Sequence, residues 1–316
     1  MVKISIIVLC YNGRKYLGKC LNSLNNLNYN KKDYEILVAD NNSEDGSVSF
    51  VKKNYPYARI LKLDRNYGFA EGNNKGAKEA KGEYLVFLNQ DTKVERNWLK
   101  ELMRFADKNS IIGAKEINKE KNYGGYLTYT GLGTKEQKKS EGYVYGSSLL
   151  VSKELFNKLE GFDKDYFMYG EDVDLCWRAQ IYGNKIKLAE KAEYWHYEKS
   201  FLKVRESFLF YITKNSLSNI IKNFDDYLVY AFFVSFIYNS FQFFKYLLVK
   251  PKNSSKIILA YCSFIIDFAK ILKKRRLIKK NRKIPDKELK KNKKILSLMK
   301  SIKKEKMLIK REGRKK

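Results

Sequence analysis

Four polar clusters stand at or close behind apolar runs in this chain, and their side chains are of kinds that grip a ligand. They are Tyr11-Asn12-Gly13, the run Asp40-Asn41-Asn42-Ser43-Glu44-Asp45-Gly46-Ser47, the run Asn66-Tyr67-Gly68-Phe69-Ala70-Glu71-Gly72-Asn73-Asn74, and Asn89-Gln90-Asp91. One such cluster is ordinary turn chemistry. Four converging on one rim make a pocket whose acids are placed to hold a base or a metal ion. Two more acids, Glu171 and Asp172, stand just ahead of a helical stretch, and His196 is the only histidine. Cys10, Cys20, Cys176 and Cys262 form no C-x-x-C pair, so Cys/His zinc clusters are excluded and a disulfide framework is not expected. A Ser-His-Asp hydrolase would have to use His196 without any G-x-S-x-G to serve it.

The elements that must position these residues are legible as strands alternating with helices. The run Ile4-Ser5-Ile6-Ile7-Val8-Leu9 is too short for a signal-peptide core and reads as a buried parallel strand. Leu17, Cys20, Leu21, Leu24 and Leu27 then recur at helical spacing. Further strands are expected at Tyr34 to Asp40, Arg59 to Leu63, Glu83 to Asn89 and Tyr143 to Ser152. Helices are expected at Glu71 to Ala80, Trp98 to Asp107, Lys153 to Leu159 and Asp172 to Tyr182, the last stopped by Gly183. Lys121 to Ser140 reads as a long loop. Such alternation indicates βαβ units, hence an α/β fold with a mostly parallel, Rossmann-like sheet and helices on both faces. In open sheets of this kind, ligands sit beyond the carboxyl ends of the strands, where the four clusters fall.

Read with those clusters, the chain resembles the GT-A domain of glycosyltransferase family 2. The resemblance is carried by Ser5-Ile6-Ile7-Val8 with Tyr11-Asn12, by the Asp-Asn-Asn-Ser-x-Asp-Gly-Ser run from Asp40, and by Asn89-Gln90-Asp91. Gly161-Phe162-Asp163, followed by Phe167-Met168-Tyr169-Gly170-Glu171-Asp172-Val173-Asp174-Leu175-Cys176-Trp177-Arg178, is similar to the family's rhamnosyltransferase-like branch. The match covers roughly the first 200 residues in the expected order, and a motif set of that length is specific.

The resemblance implies an inverting, metal-dependent hexosyltransferase. Asp40 would accept the imide N–H of a uracil or thymine ring, and Asp91 would hold Mg²⁺ or Mn²⁺ against the diphosphate, with His196 completing that metal site or contacting the diphosphate. Asn89 replaces the first acid of the family's Asp-x-Asp, leaving one charged ligand. Asp172 would be the catalytic base. Tyr11, Asn12, Asp40, Asn42, Asn66, Gly68, Asn73, Asn89 and Asp91 are the expected residues for the sugar donor, and Glu171 and Trp177 for the acceptor. On local sequence alone, Asp40 also suits an Asx-turn, Asp91 a helix cap before Thr92, Asp172 a first-turn acid and His196 a structural residue. Phe162, Tyr166, Phe167, Tyr169 and Trp177 suit either an acceptor platform or core, and Asp174 with Arg178 reads as a structural pair.

The rest of the chain has a different texture. Lys and Arg total 64 against 35 acids, a net +29; Lys270 to Lys316 carries 23 basic and 4 acidic residues, leaving +10 for the remainder. Tyr227 to Phe244 contains no charge, and Ile257 to Ile266 is a second apolar run. The first suits an interfacial helix, a membrane span or a buried helical subdomain. The expected organisation is a GT-A domain over 1–205, an aromatic-rich, membrane-associating helical region over 206–272 and a lysine-rich tail over 273–316. Expected partners are a nucleoside-diphosphate sugar (dTDP-rhamnose being the first candidate), a glycan or lipid-linked acceptor and an anionic membrane surface at the cytoplasmic face, with no specific nucleic acid. A nucleotidyltransferase, or a non-catalytic basic protein binding membrane or RNA, is the rival reading.

Overall fold

Apolar runs that are buried on both sides, rather than alternating with polar residues, build the centre of this protein. In the computed structural model, which describes residues 3–117, 124–134, 141–197, 205–249 and 251–296, strand β1 (Ile4–Cys10) lies between two parallel neighbours. Helix α1 (Arg14–Asn25) leads to β2 (Tyr34–Asp40), α2 (Ser47–Asn54) to β3 (Ala58–Lys62), and α3 (Gly68–Glu79) to β4 (Tyr84–Asn89). These four strands are parallel, in the order β3-β2-β1-β4. The pleat sends Ile6 and Val8 to one face, against Leu17, Cys20, Leu21 and Leu24 of α1, and Ile7 to the other, with Ala70 and Ala77 of α3. Covering both faces is what makes the strands continuously apolar.

The second half of the sheet is mixed. After β5 (Thr92–Val94) and α4 (Trp98–Met103) come β6 (Ser110–Glu116), β7 (Ser148–Ser152), α5 (Lys153–Lys158), α6 (Glu171–Ile181) and β8 (Lys185–His196). The full order is β3-β2-β1-β4-β7-β6-β8-β5, with β7 antiparallel to β4 and β6, and β5 antiparallel to β8. The α/β class and the GT-A-like sheet agree with the expectation from sequence. The strands β5, β6 and β8 do not appear in that reading. β5 is only three residues long, and β8 alternates buried Ile186 and Leu188 with an exposed or half-exposed Lys185 and Lys187, a pattern shared with surface loops. The strand expected from Tyr143 begins at Ser148, and Tyr143 instead forms an isolated bridge to Gly125. Part of the expected 121–140 loop lies outside the described residues; within 124–134, Leu127 and Tyr129 are buried.

Five helices complete the described chain: α7 (Arg205–Asn223), α8 (Leu228–Val249), α9 (Pro251–Ile266), α10 (Phe268–Asn281) and α11 (Asp286–Lys291). Ile220 and Phe224, at the end of α7, join the core formed by α6 and the sheet, and Phe224 lies edge-on to Trp177 with centroids 4.6 Å apart. The boundary drawn between residues 272 and 273 falls inside α10. Basic side chains there are not simply solvated: Lys274 pairs with Asp165 at 2.7 Å, Arg275 with Asp225 at 3.1 Å, and Ile278 is buried. Farther on, Leu296 N–H donates to Leu127 O, so residues up to 296 pack against the body. Residues 297–316 lie outside the described residues.

Candidate active site

Register brings the first clusters together before any side chain is considered. Cys10 is paired with Asp40 across β1 and β2, and Leu9 with Asn89 across β1 and β4, so all three strands end at one rim. The loops beyond are braced to one another. Gln90 accepts from Tyr11 N–H (3.0 Å) and donates back to Tyr11 O (3.1 Å). Asn12 is left-handed at φ 47°; its N–H donates to Ser43 Oγ, and its Oδ1 accepts from Glu44 N–H. Asn42 is also left-handed, at φ 64°. Buried Asn41 ties the second loop to the third, donating to Gly68 O at 2.8 Å and accepting from Tyr67 N–H. Asn66 Oδ1 accepts from Gly68 N–H. Gly68 has φ +76°, and a Cβ there would stand 2.2 Å from Phe167 O, so no other residue fits.

Within this frame Asp40 is buried, and one of its oxygens, Oδ2, accepts from Ser43 N–H at 3.0 Å. The other, Oδ1, is buried without a hydrogen-bond partner among the described residues. A buried carboxylate oxygen left unsatisfied is costly, and a ligand N–H would remove that cost. Covalent catalysis by the neighbouring thiols is disfavoured. Burial raises Cys10 to about 11 and Cys20 to about 12, so both stay protonated at neutral pH.

The short strand β5 brings His196 beside Asp91. Thr92 pairs with His196 in the β5–β8 ladder, and Nε2 lies 3.2 Å from Asp91 Oδ1 and 3.3 Å from Asn89 Nδ2. Among the described residues no three His, Cys, Asp or Glu side chains gather. Asp91 and His196, with the Asn89 amide beside them, nevertheless form a mixed oxygen and nitrogen set suited to a divalent cation that takes its remaining ligands from phosphate and water.

Asp172 reaches the same rim through β7. Asn89 N–H donates to Ser147 O (3.1 Å), and the adjacent Gly146 N–H donates to Asp172 Oδ2 (3.0 Å). Oδ1 accepts from Val173 N–H at 2.8 Å, in the first turn of α6. Two consecutive left-handed residues, Tyr169 (φ 69°) and Gly170 (φ 87°), turn the chain into that helix, and Asn215 of α7 donates to the carbonyls of Met168 (2.9 Å) and Tyr169 (2.7 Å). Burial raises the Asp172 carboxyl above its ordinary value, against the lowering effect of its backbone N–H partners. Glu171 is buried and stands well above its ordinary value, by burial first and then by the charge on Asp172. Of the two, Glu171 is the one held more strongly toward its neutral form.

A pH signature follows. A carboxyl raised in the folded state contributes stability that is present below its unfolded value and lost as pH rises through its folded value. Glu171→Gln removes that loss. The melting temperature of the variant relative to wild type should climb with pH from about 4.5, the ordinary glutamate value, upward. A difference that stays flat with pH would show that Glu171 is ionised in the fold.

One expected contact residue is taken out of reach. Trp177 is fully buried in the core against Phe224, because α6 turns that face inward, so it cannot stack on an acceptor. Asn73 is buried on α3, where its Nδ2 donates to Phe69 O one turn back and its Oδ1 has no hydrogen-bond partner among the described residues. Phe162 and Tyr166 are also core. Phe167 and Tyr169 are half-buried and meet α7: Phe167 stacks on Tyr211 at 5.4 Å, and Tyr169 lies edge-on to Phe208 at 5.0 Å. Tyr11 is exposed at the rim. The sequence reading did not single out Asn41, Gln90 or Gly146; the first two lie inside the quoted clusters, whereas nothing local marks Gly146. A separate hollow of about 410 Å³, lined in part by Asp107, Ser110 and Lys185, lies at the other end of α6 and shares no residue with this site.

Residues 5–160 match the family model described as Glycosyl transferase family 2. The poly(ribitol-phosphate) β-N-acetylglucosaminyltransferase TarS of Staphylococcus aureus is 32% identical over 125 residues, a match spanning 37% of this chain and 22% of that protein. The rhamnosyltransferase WbbL of Escherichia coli K12 is 26% identical over 261 residues, 70% of this chain and 96% of WbbL. Among solved structures, a mannosyltransferase from Pyrobaculum calidifontis in complex with GDP-Man and Mn²⁺ superposes with a TM-score of 0.57 at 16% identity, covering 84% of this chain and 75% of that one. Sheet order, matched residues and relatives agree: the chain belongs to glycosyl transferase family 2 and has a GT-A-like fold.

Proposed function

We propose that the chain is an inverting glycosyltransferase that moves a sugar from a nucleoside-diphosphate sugar to a glycan or lipid-linked acceptor in cell-surface polysaccharide synthesis, at the cytoplasmic face of an anionic membrane. The observation that carries this reading is the shared rim. A buried acid with an unsatisfied oxygen, Asp40, and a carboxylate raised by burial, Asp172, are linked through the ends of β1, β2, β4 and β7. The names of TarS and WbbL supply the polysaccharide context and make dTDP-rhamnose the first sugar donor to try.

In the mechanism, Asp40 Oδ1 accepts the imide N–H of a uracil or thymine ring, which orients the nucleotide. Asp91 and His196, with Asn89 beside them, would hold Mg²⁺ or Mn²⁺ at the diphosphate. Such a cation, when bound, offsets charge on the leaving phosphate. Asp172, held by Gly146 and Val173 N–H, takes the proton from the acceptor hydroxyl as that oxygen attacks the anomeric carbon in line with the departing diphosphate. A single displacement inverts the centre. Phe167, Tyr169, Phe208 and Tyr211, beside the turn that carries the base, form the acceptor's aromatic wall.

A thermal-shift screen of nucleotide sugars tests the reading. A uridine- or thymidine-linked donor should raise the melting temperature when Mn²⁺ is present, lose most of that effect in EDTA, and lose it in Asp40→Ala. A panel in which no nucleotide sugar stabilises the wild-type chain with or without metal would sink it.

A further inference from the structure

Helix α8 is built inside out. Ala231, Ser235, Asn239 and Gln242, its small and polar residues, are buried against the protein, and Asn239 donates to Ser235 Oγ within that face. Its large apolar residues point away: Phe233 is 62% exposed, Ile237 67% and Leu248 86%. Helix α9, which packs alongside it, buries Ser254, Ile257, Ala260 and Phe264 and leaves Ile258, Leu259, Ile265 and Ile266 exposed on its other face. The two outward faces form one apolar surface of a kind that monomers in water rarely leave bare.

We infer that this surface enters one leaflet of an anionic bilayer, lying in it without crossing. The inference deepens the membrane setting of the proposed function by naming the face that meets the lipid. Charge selects the occupant. Lys252 and Lys270 flank the apolar surface, exposed Lys273 and Arg276 follow on α10, and the whole chain carries +29. Anionic headgroups complement that charge, whereas a second copy would set two +29 chains face to face. Geometry argues against a span. α8 is 22 residues long and, among the described residues, is the one helix long and apolar enough to cross. To return, however, the chain has only the 16 residues of α9, about 24 Å of helix against roughly 30 Å of hydrocarbon. Lys252 and Lys256 occupy the first turns of that helix.

The full chain should float with vesicles of phosphatidylethanolamine and phosphatidylglycerol, and bind pure phosphatidylcholine vesicles at least about ten-fold more weakly. A triple variant combining Phe233→Ser, Ile237→Ser and Phe241→Ser alters exposed side chains that make no core. It should weaken flotation at least about ten-fold without changing the melting temperature. Cys262 is exposed on α9 while Cys10, Cys20 and Cys176 are buried, so an environment-sensitive fluorophore attached there should shift to the blue on adding the anionic vesicles. Four results would overturn the inference: no flotation; flotation undiminished in the triple variant; a dimer in solution that the triple variant dissolves, which makes a second copy the occupant; or protease protection of the C-terminal segment inside sealed vesicles, which makes α8 a span. Flotation needs no sugar donor. Its failure leaves the transferase reading standing, and a chain that floats yet binds no nucleotide sugar loses that reading alone.

Discussion

Asp172→Asn is expected to lower turnover by about 10²- to 10⁴-fold, the usual worth of a positioned general base, while leaving the Michaelis constant for the sugar donor nearly unchanged. The split follows from where the residue sits. Asp40 and Asp91 lie at the ends of β2 and β4 on the side proposed for the nucleotide, whereas Asp172 reaches the rim from α6 and contacts neither loop through its side chain. Asparagine is nearly the same size but not innocuous. Both carboxylate oxygens accept backbone N–H groups, so the amide must turn its NH₂ toward Gly146 or Val173 and give up one of those bonds, a cost of about 1–3 kcal/mol. Stability therefore has to be measured beside rate. The decisive measurement is the pH profile. Because burial raises Asp172, wild-type turnover should fall on the acid side at a pH above the ordinary aspartate value of 3.8, and the residual activity of the variant should lose that limb. Retained turnover, or a loss matched by weaker binding of the sugar donor, would remove Asp172 from the reaction.

The two halves of the site were not equally legible in the sequence. The side proposed for the nucleotide was readable because each apolar strand ends abruptly in Asn, Asp and Gly, and a parallel sheet gathers such ends by its topology alone. The base side depends on contacts that no local pattern reports. Asp172 reaches the rim through Gly146 N–H, at the entry to an antiparallel strand whose start the sequence reading put five residues early. Trp177 was open to two readings because a helix following two acids does not reveal which face its aromatics take. Phe224, from a helix far along the chain, decides the matter by packing against it. α8 likewise reads as apolar in sequence, but only its burial pattern shows that the polar residues are the ones facing inward.

Lys222→Met should destabilise the fold by about 3–5 kcal/mol, the cost of leaving a buried ion pair without one partner. Lys222 is buried at the end of α7 and pairs with Asp163 at 2.5 Å and Asp174 at 2.7 Å, its ammonium 4.5 Å from the centre of the Tyr166 ring. Burial by itself would raise both acids, but Lys222 and Lys274 hold Asp163 far below its ordinary value, and Arg178 and Lys222 hold Asp174 below its own. Methionine fills similar space but supplies no charge, so Asp163 is left to Lys274 and Asp174 to Arg178 with Asn223. Depressed carboxylates contribute stability that is present above their unfolded values and lost as pH falls through their folded ones. The deficit of the variant should thus be full at neutral pH and shrink as pH drops below about 4. At pH 7 the melting temperature should fall by about 10 °C. Adding Asp163→Asn to Lys222→Met should cost less than the two single changes together, since Lys222 and Asp163 are direct partners and the loss of their shared pair is counted once. The consequence for the site is that α7 is no detachable appendage. Asn215 of the same helix holds the turn at Met168 and Tyr169, so below its melting point Lys222→Met should keep its response to the sugar donor and lose turnover. A variant with unchanged stability at neutral pH, or a deficit that grows as pH falls, would show that this network does not join the helices to the body.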